Sequence, residues 1–225
     1  EHLKLRIQQG EFSIGEAIPS ERELTEMFGV SRMTVRQSIT NLANSGLLYR
    51  EKGRGTFVAA PKVEQPLSGL TSFTEDMLAR GLTPSNVLVG FEKMIPELDI
   101  AQKLKLGEGE EVFLVKRIRY ADEKPMAIEK TYLPVKLVPK LDKDALNGSL
   151  YSYIEKDKQM TIGHAMQRME AALVTKEDAN FLQIKMPSAI LIIERISYLT
   201  NGLPFEIVHS TYRADRYQFL SEIRR

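Results

Sequence analysis

Arg32, Arg36 and Gln37 lie within six residues of one another. Arginine and glutamine are the side chains that make paired hydrogen bonds to guanine and adenine edges in the major groove of DNA. Further along, Lys52-Gly53-Arg54 sets two cations around a glycine, whose missing Cβ lets the backbone come close to a phosphate or into a minor groove. A second set of residues offers different chemistry. Arg117 and Arg119 are two apart, as are Glu129 and Thr131, and Glu206 and Tyr212 are an even number apart; in β-strands each set shares one face. Two cations on one sheet face are costly to bury unless an anion meets them. That anion is either Glu129, in an internal salt bridge, or a bound ligand.

The first set needs a helix and a turn to present it. Ser31 is a helix-start residue, and Val35, Ile39, Leu42 and Ala43 recur at the spacing of one buried helical stripe. Arg32, Thr34, Arg36, Gln37 and Asn41 are left on the other faces, which reads either as a solvated surface or as the exposed start of a recognition helix. The neighbours favour recognition. After Pro19, Ser20-Glu-Arg-Glu23 forms a capping box that opens a short helix with Leu24 and Phe28 inward, and Gly29 is placed to end it. Two short helices joined by a tight turn are a helix-turn-helix. Leu3, Ile7 and, less regularly, Phe12 mark an amphipathic helix at the start of the chain. Gly46 closes the recognition helix, and Leu47–Arg50 and Thr56–Val58 read as a hairpin whose basic tip carries Lys52, Gly53 and Arg54: a wing.

Charge and composition agree. The formal net charge is only +1, yet residues 31–62 hold six cations against Glu51 alone, a local +5 of the kind that phosphate backbones require. The 225 residues are enough for two domains. The chain has no cysteine, which excludes a disulfide framework and thiolate metal sites and fits a reducing, cytoplasmic setting. His2, His164 and His209 are too far apart to suggest a metal cluster, and no cofactor is expected. With no apolar run of 18 residues and no signal-like start, the sequence argues against membrane insertion and secretion.

Pro61-Lys-Val-Glu-Gln-Pro-Leu67 reads as a stiff, extended linker. The expected division is a DNA-binding domain over 1–60, a linker over 61–67 and an effector-binding and dimerisation domain over 68–225. The pattern in the last segment predicts helices over Phe73–Arg80, Ile95–Leu106, Leu150–Lys156 and Lys176–Leu182. Strands are predicted over Val87–Met94, Val112–Tyr120, Met126–Leu133, Met166–Val174, Ala189–Leu199 and Phe205–Arg213. Arg117-Ile-Arg-Tyr120 leads through a turn to Pro125 and Glu129, and Arg195-Ile-Ser-Tyr198 leads through a turn to Pro204 and Glu206. This is a pseudo-repeat of two hairpins. Ser72, Phe73 and Thr74 begin one helix, and Ser149 and Tyr151 begin another; such hydroxyls either cap the helix or help hold an anion.

Pro19-Ser-Glu-Arg-Glu-Leu24, Val30-Ser-Arg-Met-Thr-Val-Arg-Gln37 and Gly46-Leu-Leu-Tyr-Arg with Lys52-Gly-Arg-Gly-Thr-Phe-Val58 together resemble the signature of GntR-type winged-helix repressors. The resemblance implies that Arg22, Arg32, Thr34, Arg36 and Gln37 contact DNA and that Gly53 enters the minor groove. It also implies a longer first helix, much of which is missing here. Leu70-Thr-Ser-Phe-Thr-Glu-Asp-Met77, Pro125-Met-Ala-Ile-Glu129, Ser149-Leu-Tyr151 and Tyr212-Arg-Ala-Asp-Arg-Tyr217 are similar to the effector domain of the HutC branch. The implied fold class is α+β: a winged helix-turn-helix followed by a chorismate-lyase-like domain of antiparallel sheet and helices. Phe73, Thr74, Arg117, Arg119, Ser149 and Tyr151 would then surround the phosphate of a hexosamine 6-phosphate, such as glucosamine 6-phosphate or N-acetylglucosamine 6-phosphate. Glu129, Glu206 and Tyr212 would line its sugar. The expected protein is a ligand-controlled homodimeric repressor that reads a palindromic operator in double-stranded DNA. An enzyme is the alternative that the fold itself suggests, but no nucleophile–base pair, metal cluster or nucleotide-binding glycine loop supports it. A nonspecific architectural DNA binder is the third reading.

Overall fold

The computed structural model describes residues 1–67 and 69–223. The expected first residue of the second domain, Ser68, and the terminal Arg224 and Arg225 lie outside the described residues. The chain forms two compact units, Glu1–Val63 and a second from Glu64 onward.

In the first unit α1 (His2–Gln8), α2 (Glu21–Phe28) and α3 (Arg32–Asn44) precede a hairpin of β1 (Leu48–Glu51) and β2 (Gly55–Val58). Local chemistry sets each boundary. The Ser20 hydroxyl accepts from the Glu23 amide while the Glu23 carboxylate accepts from the Ser20 amide, the reciprocal pair that opens α2. Gly29 ends α2 in the left-handed conformation at φ 61°, and Ser31 caps α3 through the Thr34 amide. Leu3, Ile7, Ile18, Leu24, Val35, Ile39, Leu48 and Val58 make one core, with Leu42 and Ala43 packed at its margin.

The stretch from Pro61 to Leu67 is a correction to the expected linker. Val63–Pro66 forms β3, which pairs with a C-terminal strand, β10 (Tyr217–Leu220). Its burial alternates, Val63 and Gln65 inside and Glu64 and Pro66 outside, as a half-buried strand requires. Pro61 precedes the strand and Pro66 is its last residue, so neither removes an interior ladder bond. The Leu67 amide continues the pairing to the Leu220 carbonyl at 2.8 Å.

The second unit continues with α4 (Phe73–Ala79), β4 (Pro84–Met94), α5 (Leu98–Lys103), β5 (Val112–Ala121) and β6 (Lys124–Pro134). After a single 3-10 turn come α6 (Leu150–Ser152), running on as a π turn to Asp157, then β7 (Ile162–Leu173), α7 (Lys176–Leu182), β8 (Ala189–Leu199) and β9 (Pro204–Arg213). One antiparallel sheet is ordered β4-β5-β6-β9-β8-β7. It therefore consists of two three-stranded halves that meet at the β6–β9 seam, each preceded by one helix and carrying a second in its first connection. Helix α5 is shorter than the predicted Ile95–Leu106. Pro96 disfavours helical geometry at Ile95, and Lys105 at φ 52° breaks off the far end. The β5–β6 turn is also tighter than expected, with Asp122 and Glu123 both at positive φ between Ala121 and Lys124.

The repeat is real but differs from the sequence alignment of its carboxylates. Arg117 faces Glu129 and Arg119 faces Ala127 across β5–β6, whereas Arg195 faces Val208 and Ser197 faces Glu206 across β8–β9. Glu206 is thus the counterpart of Ala127, not of Glu129. On one face of the sheet α7 covers Ile128 and Ile190, and α5 covers Val112 and Ile207. On the other, Leu146, Leu150, Tyr151 and Ile154 pack against Phe113, Val115 and Phe205.

Candidate functional site

The DNA-facing candidates lie in the first unit. Arg22, Arg32, Thr34, Arg36, Gln37, Lys52, Gly53 and Arg54 are all exposed, while Val35 and Ile39 between them are buried. The helix period thus holds the polar set outward by burying the apolar one. Several of these side chains have protein partners that a ligand would have to compete with. Arg22 lies 3.2 Å from Glu26 and Arg36 lies 3.6 Å from Glu21, both as exposed pairs of little intrinsic strength. Gln37 donates to Asn41 at 2.9 Å, and Thr34 shares a hydroxyl contact with Ser31 at 2.9 Å. At the wing, Gly53 sits at φ 77°, and no described atom lies within 4 Å of the place a Cβ would take. Arg54 pairs with Glu51 and lies over the Phe57 ring, and Phe57 stacks on Tyr49. Arg50 donates to the Thr40 hydroxyl at 3.0 Å, which fixes the base of the wing to α3.

The second set converges on one cavity in the other unit. Its walls include all ten candidate residues: Ser72, Phe73, Thr74, Arg117, Arg119, Glu129, Ser149, Tyr151, Glu206 and Tyr212. About 50 Å³ of it is open space. Strand alternation brings Arg117 and Arg119 from β5, Glu129 from β6 and Glu206 and Tyr212 from β9 onto the same face, and the loops entering α4 and α6 close over them. Arg117 and Arg119 are only 4% and 3% exposed. The Glu129 carboxylate lies 3.3 Å from Arg117 Nη2 and 3.7 Å from Arg119 Nε, so the internal salt bridge forms. It does not satisfy both cations. Arg119 gives one further bond to the Thr74 hydroxyl at 3.1 Å and sits over the Phe73 ring at 4.7 Å. The Nε atoms of both arginines are buried without a hydrogen-bond partner among the described residues. Burial, then the neighbouring Arg119, bring the Arg117 guanidinium down to about 10, which leaves it cationic at neutral pH.

The opposite side of the cavity is a carboxyl–hydroxyl cluster. Glu206 Oε1 accepts from Ser197 at 2.7 Å and from Tyr151 at 2.8 Å. Burial raises the Glu206 carboxyl above its ordinary range, against the lowering effect of those two bonds and of Arg195. Burial likewise raises the Tyr151 and Tyr212 phenols, keeping both protonated. The resemblance puts Tyr151 at the phosphate end; its hydroxyl instead lies with Glu206. The hydroxyls of Ser72 and Ser149 serve as N-caps, accepting from the Glu75 and Ser152 amides. Capping is therefore the role these hydroxyls have in the structure.

Arg195, Ser197, Gln65 and Asp76 also line the cavity and were missed in the sequence. Arg195 and Ser197 stand in the second half of the repeat, two apart on one face, so the same alternation that found Arg117 and Arg119 could have found them. Gln65 was concealed by the linker reading. It donates to Asp76, which also accepts from Thr71 at 2.8 Å. Arg80 Nη2 and Nε donate to the Glu64 carbonyl at 2.6 and 3.2 Å. Through these bonds α4, whose first residues line the cavity, is tied to β3. Among the described residues no group of three His, Cys, Asp or Glu side chains could hold a metal, and no helix is long and apolar enough to cross a membrane.

Comparison with known families matches residues 1–58 to bacterial regulatory proteins of the gntR family and residues 79–218 to the UTRA domain. The HTH-type transcriptional repressor NagR of Bacillus subtilis is 45% identical over 98% of this chain and 90% of its own length. The mannosyl-D-glycerate transport/metabolism system repressor MngR of Escherichia coli is 35% identical over 97% of this chain and 91% of its own. The crystal structure of PhnF from Mycobacterium smegmatis superposes with a TM-score of 0.70 at 30% identity, covering 99% of this chain and 97% of that one.

Proposed function

The chain belongs to the GntR family of bacterial regulatory proteins and carries a UTRA domain, and we propose that it is a homodimeric repressor whose operator affinity is set by a phosphosugar. Its relatives are transcription regulators rather than enzymes, and its α+β architecture of winged helix and antiparallel sheet is theirs. DNA binding by the first unit follows from the family. The finer assignment is our own: Arg32, Arg36 and Gln37 read bases, while Arg22, Thr34, Lys52, Gly53 and Arg54 position the backbone and minor groove. One winged helix buries little surface, so a palindromic operator read by two protomers supplies the missing affinity.

The observation that carries the effector reading is the pair of buried guanidiniums, Arg117 and Arg119, with one carboxylate between them and an Nε on each that makes no hydrogen bond among the described residues. A phosphate dianion supplies oxygens for those donors and balances their charge. The carboxyl–hydroxyl cluster of Glu206, Ser197 and Tyr151 offers acceptors and donors for sugar hydroxyls across the cavity. Glucosamine 6-phosphate and N-acetylglucosamine 6-phosphate have this layout, an anion at one end and a polar ring at the other. Small-molecule pockets hold roughly 300–1,000 Å³, far more than the 50 Å³ open here. An effector therefore displaces the loop entering α4 or α6, and the bonds from α4 to β3 carry that movement toward the chain that leads to the first unit. Thermal unfolding with each phosphosugar, and with mannosyl-D-glycerate because MngR is a relative, tests the reading. A bound effector raises the melting temperature by mass action and changes operator affinity. If no phosphosugar does either, the effector assignment is wrong.

A further inference from the structure

The ion pair inside the cavity bears on which anions can enter, and its role here rests on the phosphosugar reading above. Glu129 stands directly opposite Arg117 in the β5–β6 register, and its carboxylate lies between both guanidiniums, 3.3 Å from Arg117 and 3.7 Å from Arg119. It occupies the position that a ligand anion would take. Glu129 is itself buried, 8% exposed, and its β9 neighbour in register is Ser210. Any anion that takes over the arginines leaves this carboxylate to find other donors in a low-dielectric site or to face the newcomer's charge.

Two kinds of anion fare differently there. Inorganic phosphate is a mixture of mono- and dianion at neutral pH, and its few hydroxyls sit on the charged phosphorus itself. It therefore cannot donate to Glu129 without setting its own charge directly against that carboxylate. A phosphate attached to a sugar is an anion too, but it also brings ring hydroxyls, and an amine or amide N–H, that can donate to the released carboxylate from a distance. We propose that Glu129 is an internal counter-ion that makes the cavity reject bare inorganic phosphate and admit phosphate only when it is joined to a hydrogen-bond-donating body. The inside of a cell holds free phosphate as a constant competitor, and two unopposed buried arginines would bind it. Glu129 protects the regulator from that false signal.

The test compares the full chain with Glu129→Gln and Glu129→Asp, each titrated with inorganic phosphate, sulfate and glucosamine 6-phosphate by calorimetry and thermal shift. Glu129→Gln removes the charge at constant shape; it should bind inorganic phosphate and sulfate at least ~10-fold more tightly than the unaltered chain. Its preference for glucosamine 6-phosphate over phosphate should fall by a similar factor. Glu129→Asp retains the charge and should reject phosphate nearly as well as the unaltered chain. A second measurement needs no variant: phosphate at 10-fold excess over glucosamine 6-phosphate should scarcely weaken the sugar's binding to the unaltered chain. Equal or weaker phosphate binding by Glu129→Gln, or phosphate competing on equal terms with the sugar in the unaltered chain, overturns the proposal. If Glu129→Gln gains phosphate affinity while no phosphosugar binds the unaltered chain, the counter-ion role stands and the phosphosugar reading falls.

Discussion

Arg80→Ala tests the connection between the cavity and β3, because Arg80 is not on the cavity wall but pairs at 3.4 Å with Asp76, which is, and holds α4 to that strand. Two of its nitrogens donate to the Glu64 carbonyl at 2.6 and 3.2 Å, and its side chain is 21% exposed. Hydrogen bonds from a charged donor contribute about 1.5–3 kcal/mol net, and one shared carbonyl at partial exposure belongs near the low end, about 1.5–2 kcal/mol. A repressor that loses ~100-fold in operator affinity on binding its effector has a coupling energy of about 2.7 kcal/mol. If α4 transmits through β3, this contact therefore carries more than half of that energy. In Arg80→Ala the response should shrink from ~100-fold to about 3–8-fold, while effector affinity stays within about 3-fold, since Asp76, which Arg80 contacts on the cavity wall, keeps its bonds from Gln65 and Thr71. Fluorescence anisotropy on an operator selected by the unaltered protein, with and without saturating effector, reads both quantities. Melting temperature should fall too, by about 3–8 °C at 2–4 °C per kcal/mol for a domain of this size. A variant that binds effector normally and still releases operator to the full extent refutes the route through β3.

Tyr151→Phe removes one of the two donors to Glu206 Oε1, held at 2.8 Å, and should lower stability by about 1–3 kcal/mol in chemical denaturation. Glu206→Gln tests the burial of that carboxyl. Because the folded state raises its pKa, the group favours folding below the ordinary carboxyl range and loses that contribution as pH climbs through the folded value. The unaltered chain should therefore gain on Glu206→Gln as pH falls, and melting profiles that stay parallel across that window would contradict the assignment. At the DNA face, Arg32→Ala should cost about 1–3 kcal/mol and relax preference at one base position in each half-site. Lys52→Ala should weaken all sequences alike and flatten the salt dependence by about 0.9 per protomer. Binding isotherms on operator and scrambled DNA at several salt concentrations separate the two.

The winged helix was legible because its signals are local. Ser20 with Glu23, Gly29 and Ser31 act within a single turn of chain, and each reappears in the structure in the role its chemistry dictates. The strand at Val63–Pro66 was not legible for the opposite reason. Its partner, β10, is remote in sequence, so that Gln218 reaches Glu64 across a separation of 154 residues, and two prolines obscure an alternation that the pairing nevertheless uses. Strand alternation put Arg117 with Arg119, Glu129 with Thr131 and Glu206 with Tyr212, and only the register joins these pairs on one face; nor could alternation decide between ion pair and anion site. That decision depends on cross-strand register and on atoms left without partners, which no spacing rule supplies.

Register also explains how a duplicated sheet makes a cavity with two unlike ends. The hairpins share Arg117 with Arg195 and Tyr120 with Tyr198, but the turn after Tyr198 is one residue longer before its proline. The positions that then correspond carry opposite chemistry: Arg119, Ala127 and Glu129 in the first half, Ser197, Glu206 and Val208 in the second. The first half ends with two buried guanidiniums and one carboxylate, a surplus of positive charge. The second ends with the single guanidinium of Arg195 and a carboxyl held by two hydroxyls and shifted toward its protonated form. A frame that is nearly symmetric in backbone is thus polarised by a few side chains, the layout that the proposed phosphosugar, anionic at one end and rich in hydroxyls at the other, would fill.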